Sequence, residues 1–322
     1  MERKLFRCGV IDIGANSVRM NIYDIDGEAG TYAIVTTARN MLGLAALVSG
    51  GQIPDRGCDQ LIRILRSFLD KAAEFSCRQL LAFATASLRS VSNGKIITEK
   101  IRSELGLSVQ IITGEEEARY DFSAVSHRFG GELDKRGVVL DMGGGSTEMI
   151  AFEDGNLTAL ASMKIGCLAL YRHYVGQKKV PPFPSGTESW NMIRYTRMVI
   201  GSKKEFRGYG GTAYLIGGTA RTLARLHQRL FDNTGMTDGY RFPAGDLAIL
   251  KKRILDDMQT GGTLLSEMAG DRMNSIVPGV LAYTEILSFL KVTTVVSCGS
   301  GVRDGFLLDF IANRFPKESP KV

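Results

Sequence analysis

The spacing of apolar and polar residues predicts an α/β protein in which buried strands alternate with amphipathic helices. Residues 58–75 place apolar side chains three and four positions apart, as in a helix that buries one face. Residues 6–13 and 138–140 are instead nearly continuous apolar runs, which is typical of strands covered on both faces. Each run is followed by two further predicted strands, at 18–24 and 31–37 in the first half and at 149–152 and 157–163 in the second. Both halves of the chain are therefore predicted to open with a β-meander.

The same criteria predict the remaining elements. Further strands are predicted at 80–84, 108–113, 214–216 and 293–297. Further helices are predicted from 114 onward and at 93–105, 167–174, 187–200, 220–230, 277–290 and 304–315. Residues 244–270 are also predicted to be helical, with a break at Gly261–Gly262. Residues 40–51 are rich in glycine and residues 178–186 contain the main proline cluster, so both stretches are predicted to be loops.

Two of the predicted strands end in the same short motif. An offset of 129 positions aligns VIDIGANS at 10–17 with VLDMGGGS at 139–146. In each copy a buried strand leads through one aspartate into a glycine turn, whose backbone N–H groups can approach an anion closely. An ordinary tight turn uses the same residue types. A repeat at domain spacing nevertheless indicates two related domains that face each other across a cleft.

Composition narrows the class of partner. The formal net charge is +6 and the pI is about 9.0, which suits an anionic substrate. The basic residues occur singly or in pairs, whereas nucleic-acid binders concentrate them in runs, so no nucleic-acid partner is expected. The amino-terminal stretch carries charges without an apolar targeting core, and no long uncharged apolar window occurs, so we expect a cytoplasmic protein without a membrane span.

Cysteine and histidine usage limits the metal chemistry. The 5 cysteines have no C-x-x-C spacing and are expected to be buried thiols in a reducing compartment. The 3 histidines are not at ligand spacing, so a zinc site is not expected. Any metal ion should therefore be a hard cation bound by oxygen.

Carboxylates and an arginine occur where an α/β sheet places its ligands. Asp12 and Asp141 can each hold a metal ion, and the turn that follows offers backbone amides and a hydroxyl to phosphoryl oxygens. Arg89 follows the strand at 80–84, at the carboxyl edge of the predicted sheet.

Three consecutive glutamates open the helix predicted from Gly114. Acidic residues in a first helical turn favour the helix dipole, but Glu115, Glu116 and Glu117 also repel one another. At 100° per residue their side chains point in different directions. The residues themselves leave open which glutamate takes part in chemistry.

Seven strings, spread in order over residues 9–306, resemble one family. They are VIDIGANSVRM, TASLR, ITGEEEAR, LDMGGGSTE, LIGGTA, RMNSIVPG and CGSGVRDG. Together they resemble the exopolyphosphatase and guanosine pentaphosphate phosphatase (Ppx/GppA) family, within the actin, Hsp70 and sugar-kinase superfamily. One departure is Ala15, where the family usually has serine.

The resemblance implies an α/β fold of two actin/Hsp70/sugar-kinase-like domains of ribonuclease H-like type, facing an interdomain cleft. The expected domains are residues 1–127, joined by the carboxyl-terminal helix at 304–315, and residues 128–303. The resemblance also implies a homodimer.

The resemblance further implies a magnesium-dependent phosphohydrolase that releases terminal orthophosphate from inorganic polyphosphate. It makes Glu117 the catalytic base that deprotonates the attacking water. The implied ligands of Mg²⁺, or of Mn²⁺ or another divalent cation, are Asp12, Asp141 and Glu148. The implied substrate-binding residues are Asn16, Ser17, Arg19, Arg89, Gly143, Gly144, Gly145, Ser146, Thr147, Gly218, Thr219 and Arg272.

The same residues are compatible with three alternative functions. The same set supports hydrolysis of pppGpp, the guanosine pentaphosphate, to ppGpp. A superfamily kinase would need a nucleoside pocket near Gly217–Thr219, and the motif around Glu117 argues for water as the nucleophile instead. A non-catalytic sensor of these phosphates is disfavoured because all four carboxylates of the implied site are present.

Overall fold

The computed structural model describes residues 5–176 and 183–316. Most of the predicted proline-rich loop lies outside the described residues. The chain divides into two compact units. The first runs up to Tyr120 and resumes at Val302, and the second comprises Asp121–Gly301. The sequence-based boundary at residue 127 lies in the same helix as Tyr120, about two turns further along.

Eleven strands are found among the described residues. Their bounds are β1 Phe6–Ile13, β2 Val18–Asp26, β3 Thr31–Asn40, β4 Gln79–Ala84, β5 Gln110–Ile111, β6 Arg136–Met142, β7 Thr147–Glu153, β8 Asn156–Met163, β9 Thr212–Ile216, β10 Arg241–Pro243 and β11 Thr294–Cys298. In the first unit the sheet order is β3-β2-β1-β4-β5. In the second unit the order is β10-β11-β9-β6-β7-β8. Each sheet therefore combines an antiparallel meander with parallel strands on the other side of its first strand, and the second sheet ends in the antiparallel edge strand β10.

Twelve α-helices are found in the same described ranges. Their bounds are α1 Leu44–Leu47, α2 Asp55–Glu74, α3 Ala86–Arg89, α4 Gly94–Leu105, α5 Gly114–Phe129, α6 Cys167–Tyr174, α7 Gly186–Gly201, α8 Gly217–Leu230, α9 Asp246–Gln259, α10 Thr263–Ala269, α11 Met273–Leu290 and α12 Val302–Arg314.

Helices cover both faces of the first sheet. Successive side chains along β1 point to opposite faces, so the strand contributes to a core on each side. Ile11 and Ile13 face a core built with α2 and α4. Val10 faces the other side, where Leu307 and Ile311 of α12 pack against the sheet. Asp12 follows Val10 on the α12 side, so α12 begins next to the carboxyl end of β1.

The second unit is organised around α11. This helix is long and apolar enough to span a membrane by length and composition, and it is the one such helix among the described residues. Since 72% of it is buried in the large core beneath β6 and β9, it has the placement of a core helix. Val138, Leu140 and Met142 face this core, so Asp141 projects from the opposite face of the sheet.

All five cysteines are free, and four of them are buried. Burial raises the pKa of the Cys8 thiol to about 12, so it stays protonated at neutral pH. The expectation of buried thiols is met at every position except Cys77, which is half-buried.

Several predicted bounds were wrong for local reasons. The predicted loop at 40–51 contains the short helix α1, and the strand predicted at 108–113 is only the two-residue β5. β10 was not predicted, because three residues give too short a pattern. The helix predicted from 277 begins at Met273, since Pro278 lies inside α11 and does not mark its first turn.

Candidate active site

In the first unit the turn after β1 is closed by one backbone hydrogen bond. The N–H of Gly14 donates to the carbonyl of Ser17 over 3.1 Å. The carbonyls of Ala15 and Asn16 accept from Ala45 and Gly43, at 2.9 and 2.8 Å. The predicted phosphate turn is thus fixed both internally and against the start of α1.

The second unit repeats this turn after β6. The N–H of Gly143 donates to the carbonyl of Ser146 over 2.9 Å, and the carbonyl of Gly144 accepts from residues at the start of α6. A Cβ on Gly166 would lie 2.3 Å from the Gly144 carbonyl, so this approach requires glycine. The sequence repeat is therefore a repeated backbone structure, in which a helix start binds the glycine turn.

The residue paired with the strand aspartate differs in charge between the two units. Asp12 is the cross-strand partner of Arg19, and Asp141 is the cross-strand partner of Glu148. Side chains of such partners lie on one face of the sheet with Cβ atoms about 5 Å apart. The first turn therefore carries a carboxylate beside a cation, and the second carries two carboxylates.

The three glutamates at the start of α5 have separate roles. Glu116 caps the helix, because its carboxylate accepts from the N–H of Thr113 at 2.7 Å and its own N–H donates to the Thr113 hydroxyl. Glu115 is exposed. Glu117 is 6% exposed, and its Oε2 accepts from Nη1 of Arg89 at 2.9 Å. Burial and the ion pair distinguish Glu117 from the other two glutamates, among which residue spacing alone did not choose.

Arg89 makes a second hydrogen bond near Glu117. Its Nη1 also donates to the carbonyl of Ile112, at 2.9 Å, just before α5 begins. Since α3 carries Arg89 directly after β4, the guanidinium bridges the carboxyl end of the sheet and the first turn of α5. It thereby orients Glu117 and neutralises its charge.

The remaining predicted groups of the first unit lie around Asp12. Nε of Arg19 donates to the Ser17 hydroxyl at 3.0 Å, so the arginine lies along the turn. Asp12 is 9% exposed, and its Oδ2 accepts from Nη1 of Arg303 at 3.0 Å. Arg303 was not among the predicted site residues, although it lies in the string CGSGVRDG at the end of β11.

In the second unit the start of α8 lies against Asp141. A Cβ on Gly217 would be 2.9 Å from Oδ1 of Asp141. A Cβ on Gly218 would be 1.9 Å from Nη2 of Arg272, so the guanidinium of this arginine rests directly on the helix start. The glycines predicted as a turn are thus the first residues of α8, and they leave room for a carboxylate and a guanidinium.

Two predicted threonines are packed inside the second unit. Thr147 is fully buried and its hydroxyl donates to the carbonyl of Ile165. Thr219 is 1% exposed, and its hydroxyl lies 3.8 Å from the sulfur of Cys167. Both hydroxyls therefore serve internal contacts in this structure.

The donor set of the second turn fits a hard cation. Asp141 and Glu148 present oxygen ligands from neighbouring strands, and Glu148 is oriented by the hydroxyl of Ser162 at 2.8 Å. Within residues 5–176 and 183–316, no group of three or more His, Cys, Asp or Glu side chains is gathered closely enough to hold a metal ion. Mg²⁺ usually takes only one or two protein carboxylates and fills its shell with water and phosphate oxygens, so this pair suffices.

Comparison with known proteins decides the family. Residues 22–314 match the model of the Ppx/GppA phosphatase family. The chain belongs to this family. As a member of a phosphatase family, it is a hydrolase.

Similar proteins extend the match over nearly the whole chain. Exopolyphosphatase 1 of Mycobacterium tuberculosis is 28% identical over 313 residues, covering 94% of this chain and 87% of that protein. Exopolyphosphatase 1 of Mycobacterium leprae is 27% identical, covering 94% of this chain and 88% of its own length.

Solved structures confirm the predicted fold class. An exopolyphosphatase from Cytophaga hutchinsonii matches with a TM-score of 0.82 at 21% identity, covering 95% of this chain and 98% of that one. The Ppx/GppA family member of Aquifex aeolicus matches with a TM-score of 0.77 at 22% identity, covering 97% and 100%. The two mixed α/β units are thus of the actin-like type that the family resemblance implied.

Proposed function

We propose that this phosphatase is an exopolyphosphatase, which removes terminal orthophosphate from inorganic polyphosphate with the help of a divalent cation. The observation that carries the proposal is the buried carboxylate of Glu117, held by Arg89 at 2.9 Å at the start of α5. The relatives named exopolyphosphatase 1, which align with 94% of the chain, support this substrate.

Glu117 would act as the general base. A carboxylate that accepts a proton from water must be fixed within hydrogen-bonding reach of it. The contact to Arg89 fixes the orientation of the Glu117 carboxylate, which would accept the proton of the attacking water. The resulting nucleophile would attack the terminal phosphorus and break its bond to the bridging oxygen, so that orthophosphate leaves the chain.

Positive charge and backbone amides would hold the phosphates. Arg19 and Arg272 each lie against a glycine-rich segment, and guanidinium groups suit phosphate because they donate in a planar fork. Asp141 and Glu148 would hold Mg²⁺ or Mn²⁺, with Asp12 as the implied further ligand. Such an ion neutralises phosphate charge in the transition state.

The decisive experiment supplies the purified protein with Mg²⁺ and long-chain polyphosphate, and separately with pppGpp, and measures orthophosphate release. We expect release from polyphosphate. Release from pppGpp without any from polyphosphate would contradict the proposal and favour the guanosine pentaphosphate phosphatase.

Glu117→Gln tests the base. We expect kcat to fall by about 10²- to 10⁴-fold, the usual contribution of a general base, while polyphosphate binding is retained. Glu115→Gln is the matched control, because Glu115 lies exposed in the same helical turn, and it should keep wild-type kcat. Substantial turnover by the Glu117 variant would refute the assignment.

We also propose that the protein is a homodimer, from the family resemblance, and that it is cytoplasmic, from the amino-terminal stretch without an apolar targeting core and from the scattered cysteines. Sedimentation equilibrium of the purified chain tests the first point, and fractionation of the source cells tests the second.

A further inference from the structure

The ion pair between Asp12 and Arg303 joins residues 291 positions apart in the chain. Nη1 of Arg303 lies 3.0 Å from Oδ2 of Asp12, and the two side chains are 18% and 13% exposed. Arg303 is the second residue of α12, and Asp12 is the last polar residue of β1. The pair therefore links the start of α12 to the strand that leads into the first glycine turn.

The two oxygens of Asp12 have different neighbours. Oδ2 faces Arg303, whereas Oδ1 lies 3.7 Å from the position that a Cβ on Gly14 would take. Gly14 is the residue whose N–H closes the turn onto Ser17. Arg303 thus occupies one oxygen and leaves the other directed at the turn.

Neighbouring contacts fix the helix start that carries Arg303. Oδ1 of Asp304 accepts from the Tyr23 hydroxyl at 3.0 Å, and this hydroxyl accepts from Nδ2 of Asn21 at 2.9 Å. Burial, followed by the charge of Asp304, raises the pKa of Tyr23 well above its usual value, so the hydroxyl remains a donor.

Close backbone packing fixes the same helix start at the next residue. A Cβ on Gly305 would lie 1.9 Å from the carbonyl oxygen of Tyr120, so α12 packs against α5 without a side chain between them. Residues 303, 304 and 305 are therefore each tied down, and the guanidinium of Arg303 has a defined position.

Stability alone does not account for such a pair. Bringing two charges out of water costs about as much as their attraction returns, and apolar residues of similar volume are often as stabilising. The pair lies at the end of β1, where the candidate site begins, whereas the apolar part of the α12 interface involves the earlier residues Cys8 and Val10 of the strand.

We propose that Arg303 is a positioning residue for the phosphatase reaction. It holds the carboxylate of Asp12 in the orientation that presents Oδ1 to the Gly14–Ser17 turn. This role rests on the proposed function, in which Asp12 contributes to the divalent-cation site.

The test compares Arg303→Met and Arg303→Lys with the wild-type protein. Loss of a group that orients a metal ligand typically lowers metal affinity or activity by about 10- to 100-fold. We expect that loss in kcat and in the affinity of the free protein for Mn²⁺, measured by electron paramagnetic resonance without substrate. Arg303→Lys keeps the charge and should recover part of both.

Arg7→Met is the matched control. Arg7 forms an ion pair with Asp24 at 2.7 Å on the same sheet, at the opposite end of β1. It should lower the melting temperature while leaving kcat and Mn²⁺ affinity at wild-type values. A merely structural Arg303 would give the same pattern.

Three outcomes overturn the positioning role. The first is an Arg303→Met protein that is folded by circular dichroism and has wild-type kcat and Mn²⁺ affinity. The second is an undiminished effect of Arg303→Met in an Asp12→Ala background. The third is equal Mn²⁺ binding by wild type and variant, or none by either. Because the Mn²⁺ measurement needs no substrate, it decides the point even if polyphosphate proves not to be hydrolysed.

Discussion

Gly218→Ala is expected to displace Arg272 from the start of α8 without weakening the fold. The new Cβ would lie 1.9 Å from Nη2 and 2.1 Å from Cζ of the arginine, so the guanidinium must move. Its long side chain can swing away, and alanine is favoured over glycine in a helix by about 0.5–1 kcal/mol. The melting temperature should therefore stay the same or rise slightly.

The catalytic effect of this change follows from the loss of one charged contact to phosphate. A hydrogen bond to a charged group is worth about 1.5–3 kcal/mol. Since about 1.36 kcal/mol corresponds to tenfold, kcat/KM for polyphosphate should fall by about 10- to 150-fold. Orthophosphate release at varied polyphosphate concentration, together with thermal unfolding, measures both effects.

A control and a double variant isolate the mechanism. Gly186 is likewise at the start of a helix, α7, and a Cβ there meets nothing within 4 Å. Gly186→Ala should therefore leave kcat/KM unchanged. In an Arg272→Ala background, Gly218→Ala should have little further effect. Wild-type kcat/KM in Gly218→Ala, or a full additional loss in the double variant, would refute the reasoning.

Two further predictions concern stability. Gly305→Ala should destabilise the protein by about 1–3 kcal/mol through overpacking, because the new Cβ would meet the backbone carbonyl of Tyr120. Urea unfolding measures this loss, with Gly131→Ala as the control because a Cβ there meets nothing within 4 Å. Equal unfolding midpoints for the two variants would contradict the prediction. Hydrogen bonding to Arg7 lowers the pKa of Asp24 below its usual 3.8, so the stabilisation is present above that pH and is lost as the pH falls through the lowered pKa. Asp24→Asn should accordingly be less stable than wild type at pH 7 and approach it in strong acid, and a pH-independent difference in urea unfolding would be inconsistent with this linkage.

The elements that form the two glycine turns could be predicted because their signal is local. A continuous apolar run that ends in aspartate and glycine is visible within ten residues, and its second copy is visible by alignment of the chain with itself. The family resemblance then gave the fold class that the solved structures confirm.

The family resemblance implies Glu117, but the spacing of the three glutamates does not by itself choose among them. Their order in the sequence gives the angle between them, whereas the rotation of α5 against the sheet decides which one is buried. Only the packed helix shows Glu116 in the cap, Glu115 exposed and Glu117 beside Arg89.

Arg303 and Ser162 were missed for a related reason. Each orients a candidate ligand through a hydrogen bond across the fold, Arg303 to Asp12 and Ser162 to Glu148. Neither residue spacing nor composition encodes such a pairing. The register of β7 and β8 brings Ser162 to Glu148, and the packing of α12 on the sheet brings Arg303 to Asp12.

The opposite charges at one register position bear on how the chain arose. Two turns closed by the same backbone hydrogen bond are what duplication of a single ancestral segment would leave. In such an ancestor, both copies carried the same residue at the position now held by Arg19 and Glu148. Divergence at that position gave the two turns opposite charges, so a chain built from two copies of either half would lack one of the two charge arrangements.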